Sequence, residues 1–479
     1  MKKLNRTILD HKENYPIKVV QFGEGNFLRA FVDFALHTLN QECDMELGVA
    51  VVQPIDRGLI NMLNDQDGLY TLFTKGFADG EVIEEKRLVT NIVKGINPYA
   101  EFQEYIDLAK LPELEFIISN TTEAGIAYVE SDTKEMQPPS SFPAKLTVLL
   151  HERFKQFNGS ADAGLTIIPC ELINYNADTL RSIILKYIDQ WNLGSDFENW
   201  IKDHNSFHNT LVDRIVPGYP KDELDQYESE LDYKDNLIVT AEHFFLWVIE
   251  GGQALKEKLP FDQTPLDVKI VDDMQPYRTR KVRILNGAHT SMVPFGILYG
   301  NETVKETIDD SFTGKFVEDL LFEEVIPTLE LDKEELKQFA NDVLDRFRNP
   351  FIKHMLSSIA LNSISKFKVR VLPSLLSYQE MNGELPKRMT FALACLLRFY
   401  KGEWKGESLP INDTQEYVDF FSEIWKTNNP ETVTQKALQN TEFWDQDLTQ
   451  IPGLQDAVSD ALSLIETEGI QEGFSEFNK

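Results

Sequence analysis

A lysine, an asparagine and a histidine stand five and three residues apart in Lys281-Val-Arg-Ile-Leu-Asn286-Gly287-Ala-His289. These side chains can exchange a proton or donate a hydrogen bond. They open an apolar run, Ile284 to Leu298, that reads as a buried helix. At about 100° per residue, Asn286 lies about 140° and His289 about 80° round from Lys281, so the three can line one broad wall of a cleft. Gly287 costs roughly 1 kcal/mol in a helix interior, which points to something approaching the backbone closely there. Taken singly, the three read as a helix-start lysine, a capping asparagine and a core histidine. Together on an apolar helix they indicate a site, because buried polar groups need partners or a purpose.

A second cluster is Lys366-Phe-Lys368-Val-Arg370, just before Pro373. In an extended segment, alternation puts the three cations on one side. Such a cluster is commonly a solvated face. Here the chain carries 78 acidic against 47 basic side chains, a net charge of −31. Three close cations with no acid between them are unexpected on that background and suit a carboxylate. The same charge disfavours nucleic acid and anionic membrane surfaces as partners.

The elements that must position these groups fall into two parts, as a chain of 479 residues leads one to expect. Ile17 to Phe22 reads as a buried strand that runs into Gly23-Glu-Gly25-Asn-Phe27-Leu28 and then a helical pattern. Strand, Gly-x-Gly, helix is the layout of a dinucleotide-binding turn, although Leu28 occupies the place of the third glycine. A second strand, Leu47 to Gln53, ends just before Asp56. An acid there holds ribose hydroxyls and favours NAD over NADP, or else caps a helix Arg57 to Leu63. A hairpin region follows (Leu69 to Phe77, Arg87 to Ile96), then strands Glu115 to Ser119 and Leu165 to Ile168. Their C-terminal ends carry Asn120-Thr121-Thr-Glu123 and Pro169-Cys-Glu-Leu-Ile-Asn174-Tyr-Asn176, polar loops where α/β sheets bind ligands. Ala241 to Ile249 and Leu266 to Val271 read as final strands. Beyond Pro276 helical periodicity dominates, including Lys333 to Phe347, Met355 to Ile364 and Arg388 to Tyr400. The expected architecture is an α/β N-terminal domain (1–276) followed by an all-helical C-terminal domain (277–479). No run approaches the roughly 20 apolar residues of a membrane span, and the N-terminus lacks a signal-peptide core. Three scattered cysteines form neither a disulfide framework nor a zinc spacing. These features suit a reducing cytoplasm.

Gly23-x-Gly25-x-Phe27-x-Arg29-Ala30, Ser119-Asn-Thr-Thr-Glu123, Cys170-Glu-Leu-Ile-Asn-Tyr-Asn176, Val212-Asp213-Arg-Ile215 and Lys281-x4-Asn286-x2-His289 together resemble the mannitol dehydrogenase family of long-chain polyol and sugar-acid dehydrogenases. The resemblance runs nearly end to end. It implies a Rossmann-type N-terminal domain, NAD as cofactor, no metal, and a small sugar or sugar-acid substrate in a monomer or small homo-oligomer. It implies Lys281 as acid–base, Asn286 and Asn176 as donors to the reacting oxygen, and His289 as orienting the substrate. Phe22, Gly23, Gly25, Asn26, Phe27, Asp56, Asn120 and Thr121 become the cofactor contacts, and Glu123 and Asp213 a proton relay. The basic cluster favours the uronate branch, with Lys366, Lys368 and Arg370 as carboxylate ligands, Lys366 first. The substrate pairs of that branch are tagaturonate/altronate and fructuronate/mannonate. Two departures stand at the carbonyl side: Asn176-Ala177 in place of Asn-Gly, and Leu172 in place of Asn. A non-catalytic NAD-binding regulator needs only the nucleotide loops, so retention of Lys281, Asn286, Asn176 and His289 argues against one.

Overall fold

Short runs rich in valine and isoleucine make strands that are buried on both faces, the pattern of a parallel sheet. In the computed structural model, which describes residues 1–8 and 15–479, such runs form β1 (Ile17–Phe22), β2 (Gly48–Val52), β3 (Ile92–Ile96), β4 (Phe116–Ser119) and β5 (Thr166–Pro169), joined by the short β6 (Ser206–Phe207). Their order is β3-β2-β1-β4-β5-β6 and every neighbouring pair is parallel. Alternate residues feed two cores: Val19, Val49 and Val51 on one face, Val20, Phe22, Ala50 and Val52 on the other. The order reverses between β1 and β4, and the crevice at such a reversal is where doubly wound sheets take dinucleotides.

Two strand expectations need correction. The hairpin pairs Tyr70–Ala78 with Glu81–Val89, while Ile92–Ile96 joins the parallel sheet. Asp79 and Gly80 both have positive φ, the signature of a tight hairpin turn. The returning strand escaped notice because its residues 81–86 are mostly exposed and acidic. The single strand expected over Ala241 to Ile249 is two, Val239–Glu242 and Leu246–Glu250, which belong to different sheets.

By packing, the chain divides into two compact units: Met1–Lys75 with Ile83–Met274, and Gly76–Val82 with Gln275–Lys479. The second is helix-rich rather than all-helical, since Glu403–Trp404 and Glu407–Ser408 pair as a small antiparallel ribbon. Its Gly287–Tyr299 helix is apolar all round and correspondingly buried. Phe295 of that helix stacks on Phe316 at 4.1 Å between centroids, and Phe391 meets Phe474 at 5.1 Å. Among the described residues no helix is long and apolar enough to cross a membrane.

The helix after β1 holds a buried polar knot. Arg29 donates to the carbonyls of Glu24 and Leu237 and to Asn26 Oδ1, and the Tyr70 hydroxyl donates to the Arg29 carbonyl. Asp33, wholly buried, accepts from Gln21 Nε2 at 3.1 Å. Burial pushes its carboxyl up to about 7, against the opposing pull of Gln21 and Arg29. A carboxyl raised on folding binds more protons folded than unfolded between roughly pH 4 and 7, so stability falls as pH climbs through that window. Asp33→Asn removes this penalty, which at about three pKa units is at most roughly 4 kcal/mol. The gain in Tm over wild type is therefore expected to grow from pH 4 to 7 and then level. Parallel Tm curves for the two proteins would contradict it.

Candidate active site

The loops at the C-terminal ends of β1, β2, β4 and β5 are tied to one another. Gly23 has φ +122°, and a Cβ there would stand 3.0 Å from the Asn120 carbonyl and 2.8 Å from Leu28 Cδ1. Leu28 thus fills the space that a third glycine would leave open. A Cβ on Gly25 would meet nothing within 4 Å. Open space ahead of the N–H groups that begin helical residues 26–43 fits a pyrophosphate. Glu24 Oε1 accepts from the Leu59 N–H at 3.4 Å, which holds the β2 loop against the glycine turn. Asp56 is exposed on that loop, at the end of the second strand, where a ribose-binding acid belongs.

The side chains of several expected cofactor contacts also build the scaffold of these loops. The Phe22 ring points into the core beside Tyr105 and Phe142, because its strand position alternates to that face. Only its carbonyl reaches the site end, accepting from the Asn120 N–H at 3.1 Å. Phe27 is half-buried and stacked on Phe31 at 5.0 Å. Asn26 Oδ1 accepts from Arg29 at 2.7 Å. Asn120 Nδ2 donates to the Cys170 carbonyl at 2.8 Å. The Thr121 N–H and hydroxyl both donate to Glu171 Oε1, at 2.9 and 3.0 Å. Glu171, which sequence reasoning passed over, is buried and also accepts from Ser119 Oγ at 3.1 Å. Burial raises its carboxyl, and the donated N–H and O–H groups pull it back down. Its signal was available: an acid one residue past a buried strand-end cysteine has to be satisfied by neighbouring loops.

Asn176, expected to meet the reacting oxygen, bonds here within its own loop and to the neighbouring strand. It is 0% exposed. Its Nδ2 donates to the Pro169 and Glu171 carbonyls at 2.9 and 3.1 Å, and its Oδ1 accepts from the Thr210 N–H at 3.0 Å. With its amide hydrogens shared among these two carbonyls and Thr210 Oγ1 at 3.1 Å, Asn176 pins the β5 loop. Leu172, one of the two departures, is 63% exposed on that loop. Asp213 is buried at the end of Thr210–Asp213, whereas Glu123 is exposed on the β4 loop. Next to Asp213, Arg214 is a structural pin that donates to the Glu242 and Ala30 carbonyls.

In the second unit the lysine helix is not a plain α-helix. Gln275–Lys281 leads into a π segment, Val282–Asn286, before Gly287–Tyr299. The Gly287 N–H reaches back to the Val282 carbonyl, five residues away. A π turn brings residues five apart nearly above one another, so Lys281 and Asn286 are closer round the axis than the α-helical 140°. Asn286 is half-buried, and its side-chain amide makes no hydrogen bond to another described residue. His289 lies against Phe347, 4.4 Å between centroids, and edge-on to His354 at 5.1 Å. His354 was not foreseen; burial first, and Arg346 second, lower its pKa.

The backbone approach expected at Gly287 comes from the chain itself. The Arg370 carbonyl lies 3.2 Å from where a Cβ would stand. Lys366–Arg370, expected as extended, belongs to the helix Ser363–Arg370, and the helix expected over Met355 to Ile364 is short and stops before a left-handed Asn362. Buried Ile364, Phe367 and Val371 show the helical spacing that outweighed alternation. On a helix Lys366 and Arg370 lie about 40° apart, whereas Lys368 is about 160° from Lys366. Lys368 accordingly turns away and pairs with Asp445 at 3.0 Å. Arg370 Nη1 reaches Thr290 Oγ1 at 3.5 Å, and Lys366 Nζ donates to the Ile359 carbonyl at 2.8 Å. Burial lowers the pKa of both cations, and Arg370 lowers that of Lys366 further.

Comparison with known proteins places the chain in a family. Residues 17–263 match the mannitol dehydrogenase Rossmann domain and residues 273–466 the mannitol dehydrogenase C-terminal domain. An altronate oxidoreductase of Pectobacterium carotovorum is 48% identical over 98% of this chain and 99% of its own. One from Escherichia coli is 47% identical with the same coverage. Among solved structures, a substrate-free D-sorbitol dehydrogenase superposes with a TM-score of 0.80 at 21% identity, covering 99% of this chain and all of its own. Mannitol 2-dehydrogenase of Pseudomonas fluorescens, in a ternary complex with NAD and D-mannitol, gives 0.63 at 22% identity, covering 99% of each chain. The chain belongs to the mannitol dehydrogenase family and is an NAD-dependent oxidoreductase.

Proposed function

We propose that this enzyme reduces D-tagaturonate to D-altronate, reversibly, with NADH. The observation that carries the reading is the packing of a basic helix on the lysine helix: the Arg370 carbonyl lies on Gly287 and its guanidinium reaches toward Thr290. That puts cations for a carboxylate on the helix whose Lys281 and Asn286 suit alcohol chemistry. The relatives named altronate oxidoreductase support the choice of uronate.

When bound, NAD supplies the two-electron exchange with the substrate's secondary alcohol carbon. In reduction Lys281 gives its proton to the substrate oxygen; in oxidation it takes one. The uncommitted Asn286 amide donates to that oxygen as negative charge develops on it. His289, braced by Phe347, holds a neighbouring hydroxyl. Arg370 and Lys366 hold the carboxylate through charge-assisted hydrogen bonds. Asp56 accepts the ribose hydroxyls and repels a 2′-phosphate, which favours NAD over NADP.

The test is the loss of NADH and NADPH absorbance with tagaturonate, fructuronate and fructose in parallel. Turnover with NADH and tagaturonate above the other combinations is the expected result. Preference for fructuronate would replace the substrate while keeping the chemistry, and preference for fructose would remove the carboxylate assignment.

A further inference from the structure

The nucleotide end of the sheet carries an exposed ring that nothing above uses. β2 and β3 are parallel, with Val52 opposite Ile96. Asp56 stands four residues beyond Val52 and Tyr99 three residues beyond Ile96, so the two occupy adjacent loops at the same end of the sheet. The loops are joined, since the Tyr99 hydroxyl donates to the Pro54 carbonyl at 3.3 Å. An asparagine-stabilised turn, with the Tyr99 N–H on Asn97 Oδ1 at 3.0 Å, sets the direction of the residue. The Lys145 ammonium lies over the ring, 5.1 Å from its centroid. Lys145 itself is wholly enclosed and donates to the Ser140 carbonyl at 2.7 Å. Even so, Tyr99 remains 37% exposed. The ring is thus anchored through its hydroxyl and one face, while the rest of it is open to solvent.

We propose that Tyr99 is the platform on which the adenine of the dinucleotide stacks. The inference rests on the nucleotide lying at this end of the sheet with its adenosine ribose on Asp56. The base of a ribose held there lies within reach of the adjoining loop after β3, which presents Tyr99. An aromatic face already fixed on its reverse side needs little ordering when a base lands on it, and adenine offers a matching π-face.

The test measures NADH affinity by fluorescence, with ADP-ribose and reduced nicotinamide mononucleotide (NMNH) measured by displacement of NADH. ADP-ribose carries the adenine and NMNH lacks it. Tyr99→Ala is expected to weaken NADH and ADP-ribose by the same factor, about 5- to 100-fold, with NMNH unchanged. Tyr99→Phe keeps the ring and is expected to stay within about threefold of wild type, since only the bond to Pro54 is lost. If Tyr99→Ala weakens all three ligands alike, or none of them, the platform is refuted and Tyr99 merely covers Lys145. If the wild-type protein binds NMNH but not ADP-ribose, the placement of the nucleotide fails instead, and the proposal with it.

Discussion

Lys281→Ala is expected to lower kcat for uronate reduction by roughly 10²- to 10⁴-fold, the range spanned by a positioned general acid–base. NADH affinity is expected to stay within about twofold, because Lys281 lies outside the loops that gather at Gly23, Gly25 and Asp56. The π turn makes the variant informative, since it brings the lysine and the Asn286 amide onto one side of the helix. If Asn286 holds the oxygen and Lys281 moves the proton, the two substitutions act as a unit. Lys281→Ala with Asn286→Ala should then cost less than the product of the single effects. Small primary amines are expected to restore part of the activity of Lys281→Ala, while Asn286→Ala should not respond to them. A kcat for Lys281→Ala within tenfold of wild type would remove the lysine from the mechanism.

The second large effect reorders the three cations, of which the sequence reading put Lys366 first. Arg370→Leu is expected to raise KM for the uronate by about 10- to 150-fold, the worth of a charge-assisted hydrogen bond of about 1.5–3 kcal/mol. Lys368→Met is expected to leave KM within about twofold, because this lysine faces Asp445. Lys366→Met should fall between them. Since burial and Arg370 hold the Lys366 pKa below that of an ordinary lysine, its ammonium loses its proton first as pH rises. Uronate KM is then expected to climb earlier on the alkaline side in wild type than in Lys366→Met, which has no proton to lose there. Equal KM changes for Lys368→Met and Arg370→Leu would mean that helical geometry does not select the carboxylate ligands.

Much of the α/β part was legible because its signals are local. β-branched runs predict the strands of the parallel sheet, and glycines or polar clusters at their ends mark the loops. The strand Glu81–Val89 was not legible, because its first six residues are mostly exposed and charged and read as a solvated loop. The second basic cluster failed for the opposite reason. Lys-Phe-Lys-Val-Arg alternates like a strand over five residues, and only Ile364, Phe367 and Val371 together disclose the helix. Short windows are ambiguous where two periods fit the same residues.

By itself the sequence determined the class of the protein and the chemistry within its reach: a dinucleotide turn, an acid after the second strand, a lysine–asparagine–histidine helix and a local excess of cations. These follow from residue type and spacing, which are properties of the chain. Which partners the polar groups meet was decided only by the tertiary structure. Asn176 and Asn286 look equivalent as donors, yet the first bonds to carbonyls of its own loop and the second makes no side-chain hydrogen bond to another described residue. Gly287 receives the Arg370 carbonyl, and Lys368 is drawn to Asp445. The physical reason is that residue type and spacing do not fix a group's surroundings: Asn176 is met by its own loop, while the Arg370 carbonyl and Asp445 reach Gly287 and Lys368 from segments distant in the chain.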